Sequence, residues 1–100
     1  MNRRYAVIWK LDGRLRAGSL DVVDDRLVLR GRGRTASIPL ARVAHSTIER
    51  RPAMRLKGLP VLTMVLVDGG VLRVASLERA GALYELAALV SSPPALSAAR

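Results

Sequence analysis

Short runs in which apolar and polar positions alternate fill most of the chain. In RLVLR, Leu27 and Leu29 fall on one side, with Arg26, Val28 and Arg30 on the other. Leu62, Met64 and Leu66 share a side, as do Leu72 and Val74 with Arg73 opposite. Successive side chains of an extended chain point to opposite faces, so a period of two predicts half-buried strands. Val61, Val65 and Val67 make residues 61–67 apolar on both sides, which predicts a strand that is central or covered. Met54 and Leu56 alternate with Arg55 and Lys57, which predicts a short strand with the cations outward. After Pro39, LARV reads as a short turn carrying Val43 inward, and AHSTIERR as a further strand. Turn formers separate these runs: Asp12-Gly13, Asp24-Asp25, Gly31-Arg32-Gly33, Gly58-Leu59-Pro60 and Asp68-Gly69-Gly70. Asp-Gly suits a two-residue type I′ turn. Tight turns at this spacing predict an antiparallel meander of about seven strands.

One segment changes period. In SLERAGALYELAALV, Leu83, Leu86, Leu89 and Val90 recur at helical spacing, with Glu78 and Glu85 away from them. Ser76 is the expected N-cap, and Glu78 lies in the first turn, where a negative charge is favoured. Gly81 weakens the helix, and Pro93-Pro94 stops it. The expected organisation is a single domain over residues 1–91, followed by a flexible Ser/Pro/Ala tail at 92–100.

Composition narrows the function classes. At 100 residues, half of them hydrophobic, the chain can bury one core. It has no cysteine, which removes disulfides and thiolate metal sites and fits a reducing cytoplasm. The N-terminal MNRRYAVIWK carries a basic pair, but its apolar run is too short for a signal peptide, and no stretch is long enough to span a bilayer. The expected location is therefore cytoplasmic, with the inner membrane surface as a peripheral one. The net charge is +9, and eight of those nine charges fall within residues 26–57. A local excess of this kind points to an anionic partner more directly than a high overall charge does. Fifteen of the seventeen bases are arginine, which with abundant Ala, Leu and Val also fits a GC-rich genome.

The run DDRLVLRG, then RTASIPLARV, then GLPVLTMVLVDGGVLRVASLERAGALYELAALV resembles small bacterial pleckstrin-homology-like (PH-like) domains. The resemblance covers roughly residues 14–91. It implies a mainly β fold, α+β by content: two bent, near-orthogonal antiparallel sheets forming a barrel that one C-terminal helix closes. It also implies an adaptor or targeting role without catalysis. Two departures stand out. The family usually has a tryptophan in its last helix, where this chain has Tyr84, and its sole tryptophan is Trp9. Phosphoinositide binders carry a long basic loop between their first two strands; with Asp24-Asp25 taken as that turn, binding there is not expected.

Candidate chemistry is sparse. His45 is the only histidine, no cluster has metal-ligand spacing, and no serine sits in a nucleophile elbow, so no catalytic, cofactor or metal residue is expected. GRGRTA at residues 31–36 matches a dinucleotide-binding fingerprint, but SIPLARV after it is not a helix start. Two candidate surfaces remain. Arg30, Arg32, Arg34, Arg50, Arg51, Arg55 and Lys57 form a candidate anion-binding patch if they meet in space; the same charges also serve as a solvated face. Tyr5, Val7 and Trp9 form a candidate interface on the N-terminal hairpin, or pack on the domain's own core. In that hairpin Trp9 pairs with Arg16, which predicts a cation–π contact. The leading expectation is an interaction module that binds a protein partner, or a second copy of itself, through a sheet edge. The alternative is a basic surface for acidic lipid or nucleic acid, and no small-molecule substrate is evident.

Overall fold

The computed structural model describes residues 2–11 and 13–91. Seven antiparallel strands form one continuous sheet: β1 (Asn2–Leu11), β2 (Arg14–Val23), β3 (Arg26–Gly31), β4 (Arg34–Pro39), β5 (Val43–Glu49), β6 (Val61–Leu66) and β7 (Val71–Ser76). Their spatial order is β4-β3-β2-β1-β7-β6-β5. Where two sheets are expected, one continuous curled sheet forms, because β1 pairs with β2 on one side and β7 on the other. The sheet curls strongly into a half-barrel, and α1 (Ala80–Ser91) packs against it, chiefly on β5.

The alternation of apolar positions decides the inside. Tyr5, Val7, Trp9, Leu20, Val22, Leu27 and Leu29 meet Leu62, Met64, Leu72 and Val74 on the concave face, with Ala82, Leu83, Leu86 and Val90 of α1. Leu89, expected on the buried stripe, is 36% exposed, because Ala82 brings the helix's buried side round to 82, 83, 86 and 90. The helix also starts later than expected. Ser76 accepts a hydrogen bond from the Glu78 N–H at 3.0 Å, a local turn that precedes α1. Glu78 instead accepts the Ala6 N–H at 2.7 Å, capping β1 where β7 has ended. The expected tail at 92–100 lies outside the described residues.

On the convex side a second, smaller core forms. Ile8, Val61 and Ala75 are covered by Leu56 and Leu59 from the β5–β6 connection. The two-sided apolar character of residues 61–67 is explained in part: β6 is interior in the sheet and its Val61 is roofed by a loop, whereas Val65 is half-buried and Val67 is exposed. Residues 54–57, expected as a strand, do not form one. A 3-10 turn at Pro52–Met54 leads into a two-residue reversal in which Leu56 and Leu59 exchange backbone bonds at 3.1 and 2.9 Å. Its central residues, Lys57 at φ +53° and Gly58 at φ +79°, both have positive φ, as a type I′ turn requires. The chain folds back there because Leu56 and Leu59 bury together, and a strand would separate them.

Candidate functional site

The cations of the middle segment do not form one patch. Gly31 pairs with Gly18 and Arg34, so the β3–β4 turn lies towards the same end of the sheet as the β1–β2 and β6–β7 turns. Arg50, Arg51, Arg55 and Lys57 sit in the β5–β6 connection, at the opposite end of those antiparallel strands. Three of these four hold local structure. Arg55 donates to the carbonyls of Arg50 (2.9 Å) and Gly58 (3.2 Å), fastening the loop. Arg51 pairs with Glu49 at 3.1 Å, and the Arg50 guanidinium lies 5.0 Å from the centroid of the Tyr84 ring. Lys57 occupies the positive-φ turn.

The other three also diverge. Arg30 points to the convex face, since it is paired with Thr35, while Arg34 is paired with Gly31 and points to the concave side. Arg30 lies 3.8 Å from the Asp21 carboxylate, which also takes two hydrogen bonds from Arg4 at 2.8 and 3.0 Å. Those Arg4 bonds hold the buried Asp21 carboxyl below the usual carboxylate range, although burial acts the other way. Asp21 thus offsets Arg30 locally. Arg32 remains at the turn itself.

A different set of bases gathers at the end where three turns meet. Lys10, Arg14 and Arg16 flank the β1–β2 turn, Arg32 and Arg34 the β3–β4 turn, and Arg42 and Arg73 the β6–β7 turn. The turn between the first two strands thus lies between Leu11 and Arg14, with bases on both sides, and is not the acidic Asp24-Asp25. Sequence spacing hid this cluster because its members come from four separate segments. Arg42 bonds Asp68 at 2.6 Å. The Asp68 carboxyl is held below its ordinary range by the Gly70 N–H at 2.9 Å, with Arg42 assisting.

Tyr5, Val7 and Trp9 are 3, 1 and 0% exposed, so their side chains are used inside the protein. The Tyr5 hydroxyl donates to Glu85 of α1 at 3.0 Å, where Arg3 also pairs. Trp9 donates its Nε1–H to the Arg30 carbonyl at 3.1 Å. The expected pairing of Trp9 with Arg16 is present, and the guanidinium lies 5.9 Å from the ring centroid. The N-terminal hairpin is also central in the sheet and offers no full-length edge. The edges are β4 and β5. His45, on β5, is exposed and paired with Val65.

The two edges differ. β5 lies beside α1, and among the described residues no strand pairs with β4 on its outer side. Only Arg32 and Gly33 lie between the paired Gly31 and Arg34, so that pair is hydrogen-bonded. Bonded pairs then alternate, and Ala36 and Ile38 bond β3 while Thr35 and Ser37 direct their N–H and C=O groups off the sheet. Beside this edge runs a cleft of about 280 Å³. Leu11, Ile38 and Leu66 form its apolar lining, and Arg34, Arg42 and Asp68 its polar rim. Neither the protein-family models nor the curated proteins compared with the chain match it.

Proposed function

We propose that the domain is a non-catalytic interaction module that takes an extended segment of a partner protein as an added strand on β4. The observation that carries this reading is the unpaired edge at Thr35 and Ser37 lying against an apolar-lined cleft. Main-chain bonds to such an edge supply affinity, and alternate side chains entering a pocket supply specificity. The resemblance to PH-like domains, whose order of seven strands and a C-terminal helix matches this chain, supports an adaptor role. The net charge of +9 favours an acidic partner over a second copy of the chain.

Ser37→Pro tests it. The N–H removed bonds nothing within the sheet, so folding is expected to survive, since proline is tolerated on an edge. Short peptides selected from a displayed library on the native domain are expected to shift the Thr35 and Ser37 amides. They should bind Ser37→Pro at least about tenfold more weakly, the loss expected when main-chain bonds are removed. Selected peptides that leave β4 untouched, or that bind the variant equally, would refute strand addition.

A second reading rests on its own observation. The basic three-turn end also exposes Leu15 (37%), Val67 (60%) and Val71 (40%). Cations around protruding apolar side chains suit an anionic membrane surface. Nucleic acid fits less well, because Tyr5 and Trp9 are buried and Tyr84 contacts Arg50 at the other end. Sedimentation with phosphatidylserine vesicles is expected to fall steeply with added salt and with Arg14→Glu plus Arg32→Glu. Binding indifferent to both would remove this reading.

A further inference from the structure

On the convex face, Lys10 of β1 stands directly opposite Arg73 of β7, and Arg73 stands opposite Thr63 of β6. Like charges facing across a ladder repel each other. Among the described residues no carboxylate pairs with Lys10 or Arg73. The Arg73 Nε and Thr63 Oγ1 atoms are both buried without a hydrogen-bond partner. Buried polar atoms are rarely left so, because each unmade bond costs free energy. Two such atoms on adjacent strands, in register on one face, point to a missing partner shared between them.

The surroundings strengthen any ion bound there. The Leu56–Leu59 reversal covers the row above, at Ile8, Val61 and Ala75, and Val65 pairs with Val71 in the row below. Apolar neighbours exclude water and raise the local strength of electrostatic attraction. A depression of about 170 Å³, lined by Lys10, Gly13, Val71 and Arg73, opens the Lys10–Arg73 end of this row to solvent.

We propose that Lys10, Thr63 and Arg73 bind a phosphate group. A water molecule could satisfy the Thr63 hydroxyl, but it would leave the two facing cations unneutralised. A phosphate answers both needs: it carries the opposite charge, and its tetrahedral oxygens accept from an ammonium, a guanidinium and a hydroxyl arriving from three strands. This site is separate from the β4 edge and does not depend on strand addition.

Melting in sodium phosphate against sodium chloride at matched ionic strength tests it. Phosphate is expected to raise Tm and to shift the amides of Lys10, Thr63 and Arg73 saturably. Lys10→Met, at a half-exposed position that folding tolerates, is expected to weaken phosphate binding by about tenfold or more, as loss of a charged bond does. Arg73→Gln should match it, and Thr63→Val should cost less. Arg79→Gln, which lies just before α1 and contacts Glu85, should leave binding unchanged. Binding of inorganic phosphate that depends on Lys10 and Arg73 assigns the site to a soluble phosphate. Retention on phosphatidic acid vesicles with the same dependence, uncompeted by inorganic phosphate, assigns it to a lipid headgroup. Equal melting in phosphate and chloride with variant-independent vesicle binding overturns the proposal, as does acetate performing as well as phosphate.

Discussion

Gly18→Ala is expected to be among the most damaging single substitutions in this protein. Gly18 of β2 is paired with both Val7 and Gly31. It is the last residue of β2 to pair with β3, and beyond it β2 pairs with β1 alone. A Cβ added there would lie 1.8 Å from the Arg30 carbonyl oxygen, 2.8 Å from its carbon and 3.0 Å from the Gly31 Cα. All three are backbone atoms, so no rotamer change relieves the clash. The strands must separate where the sheet turns its corner, and a glycine inside a strand commonly marks such a close approach. Overpacking of this kind costs about 3 kcal/mol or more. For a domain of this length that corresponds to a fall in Tm of roughly 12–24 °C. Gly13 is the comparison: a Cβ there meets nothing within 4 Å, and only its φ of +80° is strained. Its alanine variant should lose about 1 kcal/mol. A Gly18→Ala protein melting within a few degrees of the native one would show that β2 and β3 do not approach this closely.

The strands were legible because the period-two pattern is imposed by burial on one face. Leu27 and Leu29, Leu62, Met64 and Leu66, and Leu72 and Val74 all point inward as their spacing predicts. Residues 54–57 misled because Met54-Arg55-Leu56-Lys57 alternates like a strand, although the Leu56–Leu59 contact closes it into a turn. No local pattern distinguishes the two, since the deciding partners, Ile8, Val61 and Ala75, come from three other strands. The helix starts later than its cap chemistry predicts for a related reason. Ser76 and Glu78 have the chemistry of a cap, but the Ala6 N–H claims Glu78 across the sheet.

The candidate site was less legible than the fold. The arginines of the middle segment form a patch only if they meet in space, and antiparallel strands carry Arg30 to Arg34 and Arg50 to Lys57 to opposite ends. The bases that do gather join Arg32, Arg34 and Arg42 of the charge-rich segment to Lys10, Arg14, Arg16 and Arg73 outside it, so no local signal marks the set. Lys10 and Arg73 illustrate this: 63 positions apart in the chain, they become facing partners only because β1 inserts between β2 and β7. The open β4 edge was equally hidden, since strand order, not composition, determines which strand is last.

Replacing Trp9 is expected to remove a large share of the folding free energy. Trp9 is fully buried, and its ring lies against Gly31. The Cζ2 atom lies 3.2 Å from where a Gly31 Cβ would be, Nε1 bonds the Arg30 carbonyl, and Arg16 stacks over the ring. Trp9→Ala leaves a cavity beneath the sheet and costs about 3–5 kcal/mol. Domains of this size are stable by only about 5–15 kcal/mol, so much of the population could unfold near physiological temperature. Trp9→Phe keeps most of the apolar volume but leaves the Arg30 carbonyl without its donor, a loss of about 1–2 kcal/mol. Urea unfolding followed by far-UV circular dichroism separates the two, since the sole tryptophan is itself removed. The comparison also bears on function. If Trp9→Ala costs less than about 1 kcal/mol, a value typical of exposed positions, the ring does not belong to the core. The aromatic stripe of the hairpin would then be free to meet a partner. A loss of several kcal/mol leaves β4 as the edge on which a partner strand can be added.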